Sequence, residues 1–344
     1  MAHEIITPKR DVYIISSGAV AGHEEEAGPL GGSFDAVDTN EDRFGEDTWE
    51  KAESEMQRLA VGFALEKAGC DTSSVGAMLA GDLLNQCVGS NYGLTSYRIP
   101  YMGLYGACST ASEGMLLGSL LCSSAIDRAL AVTSSHYCSA ERQFRFPLEY
   151  GGQRPPTAQW TVTGSGAFLL SGVRDDIKQL DSEYVPRIAE VLPGYVVDRG
   201  ISDVNNMGAA MAPAAADTLQ RYFKEGRDPK DFDLIITGDL GSEGSGILCD
   251  LLAEEGIDIS DSHVDCGCII YNADEADKHA GGSGCGCSAV VMAAHVLKNI
   301  REGVVSDVLF VGTGALMSPL VLSQGSSIPG IGHLVRIKGE KVGK

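Results

Sequence analysis

The sequence predicts a duplicated α/β fold with two buried central helices, and three observations predict it. Lys67-Ala68-Gly69 followed by Met78-Leu79-Ala80-Gly81-Asp82-Leu83 recurs as Lys224-Glu225-Gly226 followed by Ile235-Ile236-Thr237-Gly238-Asp239-Leu240, and each glycine pair, Gly69 to Gly81 and Gly226 to Gly238, is 12 residues apart. Cys108-Ser109 precedes a small-residue helical stretch and the strand Ala129-Leu130-Ala131-Val132, while Cys287-Ser288 stands at the same spacing ahead of Val308-Leu309-Phe310-Val311. Continuous apolar strand segments alternate with helical ones, the pattern of a parallel sheet buried on both faces. The boundary between the halves falls near Arg174-Asp175-Asp176, dividing the chain into residues 1–175 and 176–344.

Taken in order, Asp47 to Lys67 forms an amphipathic helix. Trp49, Ala52, Met56, Leu59, Ala60 and Phe63 recur at helical spacing, and Asp47 with Glu50 makes a capping box. Its counterpart runs from about Gly208 to Lys224, with Pro213 near the first turn, where proline is tolerated. Pro100 to Tyr105 is a strand leading into Gly106-Ala107-Cys108-Ser109-Thr110; Thr110 and Glu113 fit a second capping box, which puts Cys108 just before a helix N-terminus. That helix (Ala111, Gly114, Met115, Leu117, Gly118, Leu121) is small or apolar nearly all round, so it is buried. Ser288 to about Glu302 matches it and stops at Gly303, a C′ glycine. One such helix per half makes a middle layer between two sheets. Ser134 to Thr163 is long and polar, the character of a lid or binding loop. The second half carries 22 additional residues between Asp239 and Cys287 (48 against 26 from Asp82 to Cys108), including Asp274-Glu275-Ala276-Asp277.

Composition narrows the function. The 344 residues include 26 Lys plus Arg against 47 Asp plus Glu, a formal charge of −21. Nucleic acid, which needs a basic surface, is excluded as a partner, and anionic lipid is repelled. No apolar run approaches the ~18 residues of a membrane span, and no secretory signal is expected at the N-terminus. The 10 cysteines are scattered, which argues for a reduced compartment and free thiols. Cys266-Gly267-Cys268 and Cys285-Gly286-Cys287 have one residue within each pair where structural zinc prefers two to four, so no metal site is expected there.

Cys108 is the sharpest site candidate: a thiol at a helix N-terminus has its pKa lowered by the helix dipole and free N–H groups. The alternative is a buried structural cysteine at a tight corner. His136 follows the strand after the Cys108 helix, at a sheet edge where sites are built. Asp82 and Asp239 close equivalent strands, with turn capping as the alternative role, favoured for Asp239; Asn85 and Gln86 add amide donors near Asp82. Arg142, Arg145 and Arg154 are the one local basic group and suit a carboxylate ligand, or equally surface pairing with Glu141 and Glu149. The Gly281 to Gly286 loop lacks the Lys-Ser/Thr ending of a phosphate loop.

Ala80-Gly81-Asp82-Leu83-Leu84-Asn85-Gln86, Gly106-Ala107-Cys108-Ser109-Thr110, Ala140-Glu141-Arg142-Gln143-Phe144-Arg145, Glu149-Tyr150-Gly151-Gly152-Gln153, Thr161-Val162-Thr163-Gly164-Ser165-Gly166 and Gly281-Gly282-Ser283-Gly284-Cys285 together resemble the stage V sporulation protein AD family of spore-forming bacteria, and the likeness covers nearly the whole chain. The resemblance implies a thiolase-like fold, layered αβαβα and related to ketoacyl synthases. It also implies a non-catalytic protein that binds dipicolinic acid (pyridine-2,6-dicarboxylate). Such a protein helps load dipicolinate, with calcium, into the developing spore, beside membrane proteins of the same operon at the spore inner membrane. The pocket would correspond to the condensing enzymes' active site, lined here by Asp82, Asn85, Cys108, Ser135, His136 and Arg142, with no cofactor; a homodimer is expected by analogy with the fold. Condensing enzymes pair their cysteine with a histidine after a C-half strand and with an asparagine or second histidine in a glycine-rich loop. Here that strand ends Thr237-Gly238-Asp239, and no asparagine lies between Ala273 and Lys298. An aspartate lacks the neutral N–H that polarises a thioester carbonyl, so binding is expected rather than catalysis. The alternative is acyl transfer with Cys108 as nucleophile.

Overall fold

The computed structural model describes residues 5–144, 154–272 and 277–342. Ten strands build the main sheet: β1 (Val12–Ala21), β2 (Ala77–Asp82), β3 (Tyr101–Gly103), β4 (Arg128–Ser135), β5 (Gly164–Ser171), β6 (Tyr184–Leu192), β7 (Leu234–Thr237), β8 (His263–Asp265), β9 (Asp307–Ala315) and β10 (Gly330–Lys341). Their order is β3-β2-β4-β5-β1 and then β6-β10-β9-β7-β8, with the short strand Ala36–Val37 beside the end of β1. Adding five to each strand number of the first set gives the second, so the repeat read in the sequence is a repeat of topology. The two sets meet where β1 and β6 pair antiparallel, Val12 with Ile188 and Tyr13 with Arg187.

The sheet is mixed rather than parallel throughout. In each set three strands run parallel (β3-β2-β4 and β8-β7-β9), while β5 and β10 return antiparallel to β4 and β9. An antiparallel neighbour, unlike a parallel one, needs no crossover helix.

Four helices complete the layers. α1 (Trp49–Ala68) covers the outer face of β1, β4 and β5, and α3 (Met207–Lys224) covers β9 and β10. Between the two sheet sets lie α2 (Thr110–Ser124), packed on β2, β4 and β5 and also on β9 and β10, and α4, a continuous helical run from Cys285 to Arg301. The apolar side chains segregate accordingly: Met115, Phe168, Val290 and Phe310 fill the middle, Met56 and Val61 of α1 cluster with Met78 and Leu130, and Met211, Leu219 and Tyr222 of α3 cluster with Leu309. Close approach of backbones requires Gly166 on β5, where a Cβ would stand 2.4 Å from the carbonyl oxygen of Ala289 on α4.

Helix ends differ from the expected caps. Thr48, not Asp47, caps α1, its side chain accepting from the Lys51 N–H. Asn206 caps α3 one residue earlier than expected, and Pro213 falls in the second turn rather than the first. The box between Thr110 and Glu113 does not form. Instead Thr110 Oγ1 accepts the Gly106 N–H and donates to the Ala107 carbonyl, and the helix opens through a 3-10 turn over Ala107–Ser109. Gly303 ends α4 at φ 74, as expected of a C′ glycine.

Candidate ligand-binding cavity

Each half delivers one corner to a shared crevice. From the first half, Gly106 turns the chain out of β3, and Ala107, at φ 49, holds a left-handed backbone uncommon for a residue with a side chain. That turn aims Cys108 from the mouth of α2 toward the second half. From the second half, β7 ends at Thr237 and Gly238 leads to Asp239, whose fully buried carboxylate gathers donors. Oδ2 accepts from Ser283 Oγ and from the Gly284 N–H, both at 2.9 Å, and Oδ1 accepts from Thr313 Oγ1 at 2.9 Å. The Cys108 thiol stands close enough to this carboxyl for each to shift the other. The short parallel pair of Trp160–Thr161 with Gly282–Ser283 ties loops of both halves beside the same point.

Above Cys108 opens a narrow cavity of about 60 Å³. Leu83, Tyr105, Ala107, Ala140 and Phe144 line one side, Val204, Met207, Ala315 and Met317 the other, and Glu141, Thr161, Ser283 and Gly284 the remainder. An apolar wall with a few convergent polar groups is the common form of a small-molecule site. Glu141 accepts from Thr161 Oγ1 and pairs with Arg154, both at 3.2 Å. The Arg154 guanidinium in turn covers the stacked rings of Tyr137 and Trp160, whose centroids are 4.1 Å apart.

The electrostatics reverse one expectation. The Cys108 thiol is pushed well above its ordinary range, first by burial and then by the neighbouring Asp239 charge. Burial likewise raises Asp239, against the hydrogen bonds that favour its charged form. A helix start stabilises a thiolate only weakly compared with the cost of placing that charge in a dry corner beside a carboxylate. At neutral pH Cys108 is a thiol.

Of the six residues singled out in the sequence, only Cys108 lines this cavity. Asp82 is fully buried one layer behind, accepting from the Leu84 N–H and from the N–H and hydroxyl of Ser90. Asn85 is exposed, and its N–H donates to Gln143 Oε1. Ser135 donates to the Val162 carbonyl and accepts the Gly286 N–H, locking β4 to the start of α4. His136 is enclosed: Nδ1 accepts the Cys138 N–H, so Nε2 carries the proton it donates to the Asp42 carbonyl at 2.7 Å, and the ring leans on Trp49. Burial lowers its pKa, keeping it neutral. Arg142 points away from the cavity and pairs with Glu50 of α1.

The expected arginine group does not converge, because Arg142 pairs with Glu50 and Arg154 with Glu141; Arg145 and the Glu149-Tyr150-Gly151-Gly152-Gln153 stretch lie outside the described residues. Tyr105, Met207 and Met317 were not singled out in the sequence, since they come from loops and element ends with no periodicity to reveal them. Asp239 had a usable signal: the repeat pairs it with Asp82. All ten cysteines are free, Cys285 Sγ donates to the Ser134 carbonyl, and among the described residues no three metal-binding side chains cluster. Nor is any helix among them long and apolar enough to cross a membrane.

Residues 2–338 match the family model of stage V sporulation protein AD. The stage V sporulation protein AD of Bacillus subtilis (strain 168) is 45% identical over 324 residues, covering 94% of this chain and 93% of that one. Among solved structures, cerulenin-bound OleA of Xanthomonas campestris superposes with a TM-score of 0.60 at 13% identity, covering 98% of this chain and 99% of that chain. A tetronic acid condensing enzyme superposes with a TM-score of 0.57 at 15% identity, covering 95% and 100%. At these identities the structural likeness establishes the thiolase-like fold alone.

Proposed function

This chain belongs to the stage V sporulation protein AD family, and we propose that it binds dipicolinate in the Cys108 cavity and serves its loading, with calcium as accompanying cargo, into the developing spore. The observation that carries the reading is Asp239 against Cys108. A condensing enzyme needs a thiolate and a neutral N–H donor at this corner; here burial, and then the Asp239 carboxyl, keep the thiol protonated, and no histidine lines the cavity among the described residues. The walls suit a flat ring: Leu83, Tyr105 and Phe144 offer apolar faces. Glu141 and Asp239 repel a bare diacid, which a calcium ion carried with the ligand would offset. The site of action in this reading is the spore inner membrane, reached through membrane proteins of the same operon.

The same reading includes a homodimer. β3 pairs only with β2, all three of its residues are exposed, and Tyr92, Met102 and Tyr105 are exposed large apolar side chains of the same region. A bare edge strand with apolar side chains is a template for pairing with a second copy.

Calorimetry with purified protein tests the ligand: dipicolinate, alone or with calcium, is expected to give saturable heat that weakens in Phe144→Ala, and absence of heat at millimolar ligand sinks the reading. A second reading, acyl transfer by Cys108, is favoured by the left-handed backbone of Ala107, the strained corner typical of a presented nucleophile. Incubation with acyl-CoA followed by mass spectrometry separates the two, since only the enzyme reading leaves an acyl increment on Cys108.

A further inference from the structure

At the other end of α4 from the Cys108 corner, roughly 24 Å along the helix at 1.5 Å per residue, lies a second cavity of about 550 Å³. It is polar, and among the described residues one cation in it has no carboxylate partner. Arg301 makes one long hydrogen bond to those residues, from Nη1 to Ser17 Oγ at 3.4 Å, and its Nη2 is enclosed with no acceptor among them. Burial draws its pKa down to about 10, with no carboxylate opposing that shift, so it stays charged at neutral pH.

The acidic side chains of the cavity are committed elsewhere. Asp35 pairs with Lys67 at 2.6 Å and accepts the Ala19 N–H, Glu183 pairs with Lys341 at 3.2 Å, and Glu302 pairs with Lys298 at 3.9 Å; Asp181 is exposed. Ser182 Oγ is a second enclosed group without a partner.

A separate feature marks the same place. Over Met292–Val296 the helix widens into a π turn, and its Ala293 and Ala294 line the cavity. Ser17 Oγ donates to the Ala293 carbonyl at 3.0 Å, which orients the hydroxyl and leaves its lone pair toward Arg301. Single π turns within α-helices recur at functional sites. A buried guanidinium without an acceptor is costly. An oxyanion supplies what both Arg301 and Ser182 lack, through charge-assisted bonds in the fork geometry that guanidinium favours.

We propose that this cavity is a binding site for a small organic anion, whose carboxylate or phosphoryl oxygens are held by Arg301 Nη2 and the Ser182 hydroxyl, with Lys298 at the mouth. The site is distinct from the Cys108 cavity and does not depend on what that cavity binds.

The test is thermal unfolding of the full chain in a zwitterionic buffer at constant ionic strength, with chloride exchanged for inorganic phosphate or for acetate at about 10 mM, since a ligand of the native state raises Tm by mass action. A rise of a few degrees is expected with one of the two anions. Preference for phosphate identifies a phosphoryl ligand and preference for acetate a carboxylate. The rise is expected to vanish in Arg301→Gln and to shrink in Ser182→Ala, while the dipicolinate heat of both variants stays that of the parent chain. No rise with either anion, or an equal rise in Ser182→Ala and the parent chain, overturns the proposal. Should Arg301→Gln fail to fold, Ser182→Ala still decides.

Discussion

Cys108 and Asp239, one from each half of the duplicated chain, stand together beside the cavity, and the thiol is held in its neutral form first by burial and then by the carboxyl. In the fold shared with condensing enzymes, a protonated thiol beside a buried acid can line a binding pocket.

Asp239→Asn tests the contact directly. Removing the charge lowers the Cys108 pKa, although burial, the larger cause, remains. Alkylation of Cys108 by iodoacetamide, followed by mass spectrometry of its peptide from pH 7 to pH 10, is expected to speed up by about tenfold for each pKa unit recovered. An unchanged rate shows that the carboxyl does not govern the thiol. The same variant loses an acceptor for Ser283, Gly284 or Thr313 and is expected to lose about 1–3 kcal/mol of stability.

Glu53 predicts a pH dependence. It is fully buried, accepts from Ser134 Oγ and Ser139 Oγ, and is pushed up to about 8 from an ordinary 4.5 by burial and then by the charge of Asp82. Because its folded-state pKa is raised, the folded protein holds a proton that the unfolded chain has released. Its contribution is therefore complete below about pH 4.5 and is lost as pH rises toward 8. Urea unfolding is expected to show the parent chain weakening relative to Glu53→Gln between pH 5 and pH 8. Parallel profiles of the two proteins count against this assignment.

His136 separates architecture from binding. His136→Ala removes two hydrogen bonds and the packing against Trp49, and is expected to cost about 2–4 kcal/mol. Calorimetry on the variant below its melting temperature should give the parent affinity for dipicolinate. A large loss of affinity with unchanged stability would return His136 to the pocket.

Gly166→Ala drives a methyl against the α4 backbone, 2.4 Å from the Ala289 oxygen. The two packed layers must separate, so a loss of about 1–3 kcal/mol or more is expected from the denaturation midpoint. A neutral substitution means the layers are looser than this spacing.

The β3 edge predicts the oligomer. Met102→Glu places a charge on an exposed strand that is 45% accessible at that residue in the single chain. Sedimentation equilibrium is expected to show a dimer for the parent chain and a monomer for the variant. A parent chain that sediments as a monomer removes the dimer from the proposed function.

The duplication, the four principal helices, the strands β2, β3, β4, β7 and β9 and the corner holding Cys108 were legible in the chain because each rests on local pattern: spacing, periodicity and small-residue composition survive in one dimension. Family membership was legible for a similar reason, since long strings such as Glu141-Arg142-Gln143-Phe144 stand unbroken in the sequence. The cavity wall was not. His136, Asp82 and Ser135 sit close to Cys108 along the topology, yet each turns its polar atoms into the backbone behind it, while Met207, Phe144 and Met317 arrive from distant segments. Whether a polar side chain faces a ligand or satisfies a buried N–H depends on which donors and acceptors the packed layers leave over. The state of the Cys108 thiol was decided the same way: its place at a helix mouth is written in the sequence, but its burial and its carboxyl neighbour exist only once the two halves close on each other.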